Sequence, residues 1–313
     1  MKKFILKFAL LVAFIYFVPV FVLLFICPQY TSGYGSSVPE KVKRLESLPS
    51  PKIIIAGNSN VIFGFKSDLV EKAFGMPVVN VGYHAGAGNV VNERLAMFNI
   101  GKGDIVVLSQ LTYDDNDEIG DPELVLLTVE NHFHLWKVFR LKDYPRIIQA
   151  FPRYTYKCLL RFIRGDDKTV GKPAEWTRDA FNEYGDIEYL RHSTPPDFKL
   201  VPFHPKTTKM CMDRINEFSR YCKERGATLV IAAPPFVNDE KINSFQEVCA
   251  YWTDLKNMSE APVISDYKDY FYNTDCFWDS NAHLNDEGAQ LRTEQCIKDL
   301  KAFLSGQGSD FQQ

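Results

Sequence analysis

Lys52-Ile53-Ile54-Ile55-Ala56-Gly57-Asn58-Ser59-Asn60 opens the part of the chain that reads as a folded body. A run of apolar residues closed by a glycine, with no polar alternation, is a strand buried on both faces, and such strands mark a parallel sheet. The pattern returns at Pro77 to Val81, Asp104 to Leu108, Ala227 to Ala233 and Pro262 to Ser265. Helical periodicity at about 65 to 74, 88 to 99, 209 to 225, 240 to 257 and 286 to 304 falls between or after these runs. The expectation is an α/β fold, a doubly wound, flavodoxin-like parallel sheet of about five strands. Sheets of this kind bind ligands outside the carboxyl ends of their strands, so chemistry is expected in the loops after 56, 81, 108, 233 and 265. Residues 114 to 205 break the alternation with aromatics and polar turns such as Glu183-Tyr184-Gly185-Asp186, and read as an insertion over the sheet's working edge.

Composition agrees. Of 313 residues, 46% are hydrophobic and 24% charged, which suits a large core and not a disordered chain. A formal net charge of -3 gives no basic field, so nucleic acid is not an expected partner. The seven cysteines form no Cys-x-x-Cys and no paired Cys/His spacing, so neither a metal nor another cofactor is expected. Spacing leaves open whether the six cysteines beyond Cys27 pair.

At the N-terminus Lys2, Lys3 and Lys7 precede an uncharged run from Phe8 to Cys27, apolar except for Pro19. Its 20 residues match the length of a helix that crosses a hydrocarbon core. The next charge is Glu40, so the lysines mark the cytoplasmic side and the body is placed outside. A cleaved signal peptide is the alternative, but its apolar region is normally about 7 to 15 residues and ends in small residues, unlike Leu24-Phe25-Ile26-Cys27. The expected organisation is a signal anchor at 1–27, a tether at 28–51 and one body at 52–313. The expected location is the cell membrane, with a single-pass N-terminal transmembrane helix and an extracytoplasmic C-terminal domain.

A serine in a tight strand-to-helix turn has its hydroxyl at the carboxyl edge and its amide at a helix N-terminus, where a developing oxyanion is stabilised. Ser59 holds that place, although serine and asparagine there also serve as caps. Far along the chain, Phe277-Trp278-Asp279-Ser280-Asn281-Ala282-His283-Leu284-Asn285 sets a carboxylate and an imidazole in one short loop before the final helix. A carboxylate beside a histidine fixes its tautomer and stabilises the imidazolium, as a base that activates serine requires. Ser59, His283 and Asp279 are the candidate nucleophile, base and orienting acid.

In this order these residues resemble the SGNH (GDSL-like) hydrolase and acyltransferase superfamily. That pattern has a serine turn after the first strand, a glycine after the second and an Asp/His pair before the last helix, here Gly57-Asn58-Ser59, Asn80-Val81-Gly82 and Asp279 to His283. The likeness runs from about Lys52 to Leu304 and is closest to the membrane-anchored branch with the teichoic-acid D-alanyl transfer protein and exported polysaccharide O-acetyltransferase partners. The Asp-x-x-x-His spacing is one residue longer than the usual block, so Asn281 shares the candidacy for orienting His283. The third-block asparagine is absent, where the chain reads Leu108-Ser109-Gln110-Leu111-Thr112-Tyr113.

The resemblance implies acyl transfer through a serine ester at Ser59. The Ser59 and Gly82 amides would hold the oxyanion, with Asn58 and Tyr113, or Thr112, as further candidates. It also implies a cell-envelope glycan or teichoic-acid-like substrate and a multi-pass membrane acyltransferase partner. Two rivals stand beside it. One is a catalytically degenerate SGNH domain that binds glycan or scaffolds an acyltransferase. The other is a short-chain-dehydrogenase-like oxidoreductase, from the Gly-x-x-x-Gly-x-Gly spacing at Gly82, Gly86 and Gly88, although no Tyr-x-x-x-Lys pair occurs. His84, near the same edge, reads as a polar loop residue.

Overall fold

The structure is a computed structural model that describes residues 1–21, 33–129, 132–164, 177–193 and 198–307. Its centre is a four-stranded parallel sheet of β1 (Ile53–Gly57), β2 (Val78–Asn80), β3 (Ile105–Ser109) and β4 (Thr228–Ile231), in the order β2-β1-β3-β4. Gly57 pairs with Ser109 at the carboxyl end of the β1–β3 ladder.

The sheet has four strands, not about five. The fifth run, Pro262 to Ser265, contributes one parallel bridge, between Val263 and Ile231. Pro262 has no amide hydrogen to add to a ladder. After Ile264 N–H meets Ile231 O (3.0 Å), the Ser265 hydroxyl accepts the Ala233 amide (3.2 Å), and a side chain replaces the next ladder step.

Burial on both faces explains the unbroken apolar runs. Ile53, Ile55, Val78, Ile105 and Val107 enter one core with α3 (Ser59–Gly64), α4 (Ser67–Phe74) and α10 (Asp286–Gln307). Ile54, Ala56, Val79, Val106 and Leu108 enter the other with α8 (Lys209–Glu224) and α9 (Phe245–Met258). The β1–α3 turn, the loops after β2 and β3 and the start of α10 all meet at the carboxyl edge.

Two further readings change. The segment read as a tether contains α2 (Ser37–Ser47), whose Val38, Val42 and Leu45 recur at helical spacing and are buried. The expected transmembrane helix is also overturned, because among the described residues no helix is long and apolar enough to cross a membrane. The N-terminal helix α1 (Lys2–Phe21) spends its first turns on Lys2, Lys3 and Lys7. The single-pass anchor, and the cell-membrane location with an extracytoplasmic body deduced from it, are therefore unsupported. Residues 22 to 27 of the apolar run lie outside the described residues.

The insertion builds part of the core and covers the β2 edge. Within it, α6 (Pro122–Val129) and α7 (Tyr144–Arg164) extend the first core through Val125, Leu126, Ile147 and Phe151. The turn from Tyr184 to Asp186 lies against β2, with the Asn80 amide donating to Tyr184 O (2.8 Å) and Asn80 Nδ2 to Asp186 Oδ1 (2.8 Å). Cys158, Cys211, Cys222, Cys249, Cys276 and Cys296 are all free thiols.

Candidate active site

Ser59 is the first residue of α3, two residues beyond the end of β1, and is 7% exposed. Gly57 makes the turn possible. Its φ is +151°, and a Cβ there would run into the Ser109 carbonyl oxygen of the paired strand. Asn58, not Ser59, is the cap: its Oδ1 accepts the Asn60 amide (3.2 Å) and Asn60 Nδ2 (2.7 Å). The serine hydroxyl is thereby released for other use.

His283 and Asp279 come from an antiparallel hairpin, β7 (Phe277–Ser280) and β8 (His283–Leu284), in which Ser280 pairs with His283. The two-residue turn at Asn281-Ala282 folds the carboxylate back onto the imidazole. His283 Nδ1 lies 2.6 Å from Asp279 Oδ1, and His283 Nε2 lies 2.8 Å from Ser59 Oγ. Three side chains from residues 59, 279 and 283 thus form one hydrogen-bonded chain, with His283 only 8% exposed. The longer Asp/His spacing is the length of the hairpin. Asn281 points elsewhere, its side chain pairing with the Val201 carbonyl (2.6 Å) and amide (3.2 Å).

The oxyanion candidates divide. The Ser59 amide donates to no group among the described residues, and Asn58 Nδ2 likewise has no acceptor there, since the cap uses Oδ1. Gly82 lies against the nucleophile's helix, where a Cβ would strike Val61, but its amide already donates to Asn80 Oδ1 (3.0 Å). Asn80 is held in that pose by Val61 O (2.9 Å) and Asp186 Oδ1 (2.8 Å), so the Gly82 amide is not an open donor. Tyr113 and Thr112 are not at the site. Tyr113 is fully buried in the opposite core, stacked on Tyr251, and Thr112 Oγ1 is bound to Asp114 and Lys206. A tyrosine ring gains more from that apolar face than from an exposed loop. His84 is closer than its loop reading suggested: burial, then the neighbouring His283, depress its imidazole pKa, and its Nδ1 accepts the Gly86 amide (2.8 Å).

Three basic residues around the site had no sequence signal. Arg292 of α10 is fully buried and donates to Asn60 O (2.7 Å), Ser109 Oγ (2.8 Å) and Ala233 O (3.3 Å), tying α3 to the carboxyl edge of the sheet. Arg191 of the insertion is equally enclosed. Lys41 of α2 donates to Gly82 O (2.7 Å). In a sequence each is one more cation on an amphipathic segment. Among the described residues no group of three or more His, Cys, Asp or Glu side chains could hold a metal ion.

Lys41 gives a pH prediction. Burial lowers its ammonium pKa from 10.5 to about 7, against the opposing pull of Asp186. Between those values the unfolded chain holds the proton and the folded chain does not, so stability rises with pH. From pH 7 to 9 the unfolding free energy of the wild type should gain on Lys41→Met by up to about 1.4 kcal/mol per pH unit, read from urea midpoints. Parallel curves would contradict it.

Comparison with known proteins adds no relative. No family model matches the chain, and no match is found among curated proteins or solved structures.

Proposed function

We propose that this protein carries out serine-dependent acyl transfer or ester hydrolysis of the SGNH type. The continuous Ser59–His283–Asp279 hydrogen-bonded chain carries the reading. Ser59 Oγ attacks the acyl carbonyl carbon while His283 Nε2 takes its proton, and Asp279 holds Nδ1–H and steadies the imidazolium. The tetrahedral oxyanion is met by the Ser59 amide at the start of α3 and by Asn58 Nδ2. Collapse breaks the ester C–O bond as His283 returns the proton to the leaving oxygen. Water or a hydroxyl then releases the acyl group by the same steps in reverse. The envelope glycan and membrane acyltransferase partner that the resemblance implies are not carried by this geometry, so the proposal is confined to ester chemistry.

The dehydrogenase alternative is disfavoured by the glycine loop itself. Gly120 and Asp121 of the insertion donate to Ala87 O (2.8 Å) and Gly86 O (2.7 Å), so another chain segment is packed on the loop that a pyrophosphate would need to approach. A non-reacting binding or scaffold domain is the second reading, favoured by the engagement of the Gly82 amide with Asn80. A fluorophosphonate separates the two. Stoichiometric labelling of Ser59, lost in His283→Ala, is expected; an unlabelled wild type would leave the binding reading.

A further inference from the structure

His283 makes a contact that acid–base chemistry does not demand. Its imidazole lies flat on the Phe63 ring, centroids 4.1 Å apart with 12° between the planes. That face of Phe63 is therefore filled, which leaves the opposite face to the Arg191 guanidinium, 5.1 Å from the ring centroid. Imidazole, phenyl ring and guanidinium form one stack, with Phe63 from the nucleophile's own helix in the middle.

Arg191 also binds the backbone on both sides of the site. Its Nη2 donates to Phe63 O (3.4 Å) and its Nε to Leu284 O (3.2 Å), on the residue after the base. Its amide donates to Asp286 Oδ2 (2.7 Å) at the start of α10, and Nη2 lies 3.8 Å from Asp286 Oδ1. Nη1 reaches Ile187 O (3.2 Å) and Tyr189 O (3.3 Å) within the insertion. A guanidinium only 2% exposed persists only where its donors are met and its charge is answered, here by four carbonyls, one carboxylate and an aromatic face. The planar fork suits this task in a way an ammonium does not.

We propose that Arg191 is a positioning residue for proton transfer between Ser59 and His283. It fixes the plane of the imidazole through Phe63 and the spacing of α3 and β8 through the Phe63 and Leu284 carbonyls. The kinetic part of this proposal rests on the serine acyl-transfer reading; the geometric part does not. Rotation of the imidazole out of the stack would take Nε2 off the line to Ser59 Oγ, and small misplacements of reacting groups are costly.

The test uses the full chain with Arg191→Gln and Arg191→Lys, each compared with wild type in two measurements. The first is the NMR shift of the His283 ring protons, which the Phe63 ring current holds upfield in the wild type. In Arg191→Gln these resonances should move toward free imidazole, and in Arg191→Lys only part of the way. The second is the rate of Ser59 trapping by a fluorophosphonate, expected to fall on the order of 10²-fold in Arg191→Gln and less in Arg191→Lys. Wild-type resonances and a wild-type trapping rate in folded Arg191→Gln would overturn the proposal. Should that variant not fold, the same two wild-type values in Arg191→Lys would overturn it. A wild-type protein that is not trapped at Ser59 removes the acyl-transfer reading, and the resonances then decide the positioning alone.

Discussion

Ser59→Ala is expected to abolish covalent trapping and to lower turnover of an activated ester by on the order of 10⁶-fold, the scale seen when a serine nucleophile is removed from an intact triad. The loss should fall on turnover more than on KM, because the hydroxyl is the attacking group and contributes little to holding the ground state. Stability should hardly change. Asn58 caps α3, so the deletion removes only the 2.8 Å bond to His283 Nε2, a net cost of about 1 kcal/mol. Active-site titration and a thermal melt on the same preparation check both halves. A folded Ser59→Ala protein with normal turnover would remove covalent catalysis.

Asp279→Asn is expected to cost on the order of 10⁴ in turnover while the fold is kept, following the serine-protease precedent in which the amide leaves the base in the wrong tautomer. The 2.6 Å contact between Asp279 Oδ1 and His283 Nδ1 is the reason. Asn281 is tied to Val201 on the exposed side of the hairpin and is not placed to substitute. Asn281→Ala should therefore leave turnover unchanged. Esterase kinetics on the two variants side by side test the assignment: a near-normal Asp279→Asn beside a damaged Asn281→Ala would reassign the orienting group.

Much of the layout was legible in the sequence because burial on two faces leaves a strong mark. The first four apolar runs form the strands of one parallel sheet, and the Gly57-Asn58-Ser59 turn stands at its carboxyl edge. The fifth run failed because apolar composition reports neither a missing donor nor a competing side chain: Pro262 has no amide hydrogen ahead of the single bridge at Val263, and the Ser265 hydroxyl takes the next ladder step after it. The N-terminal run misled as well: α1 begins among the lysines, and among the described residues no helix is long and apolar enough to cross a membrane. Val38, Val42 and Leu45 were readable as a helical face, but the neighbouring glycines and serines drew the segment toward a tether.

The sequence by itself determined which residue types could do chemistry and that they sit in turns at strand ends and helix starts, because turn glycines, caps and apolar runs are local features. Tertiary structure alone decided which groups are open. It turned the extra residue between Asp279 and His283 into a hairpin of the right length, sent Tyr113 into the far core and gave the Gly82 amide to Asn80. It also brought Arg191, Arg292 and Lys41 around the site from an insertion and two separate helices. Those placements depend on contacts between residues up to 232 positions apart, where hydrogen-bond geometry and the cost of burying charge set the outcome and sequence spacing carries no signal.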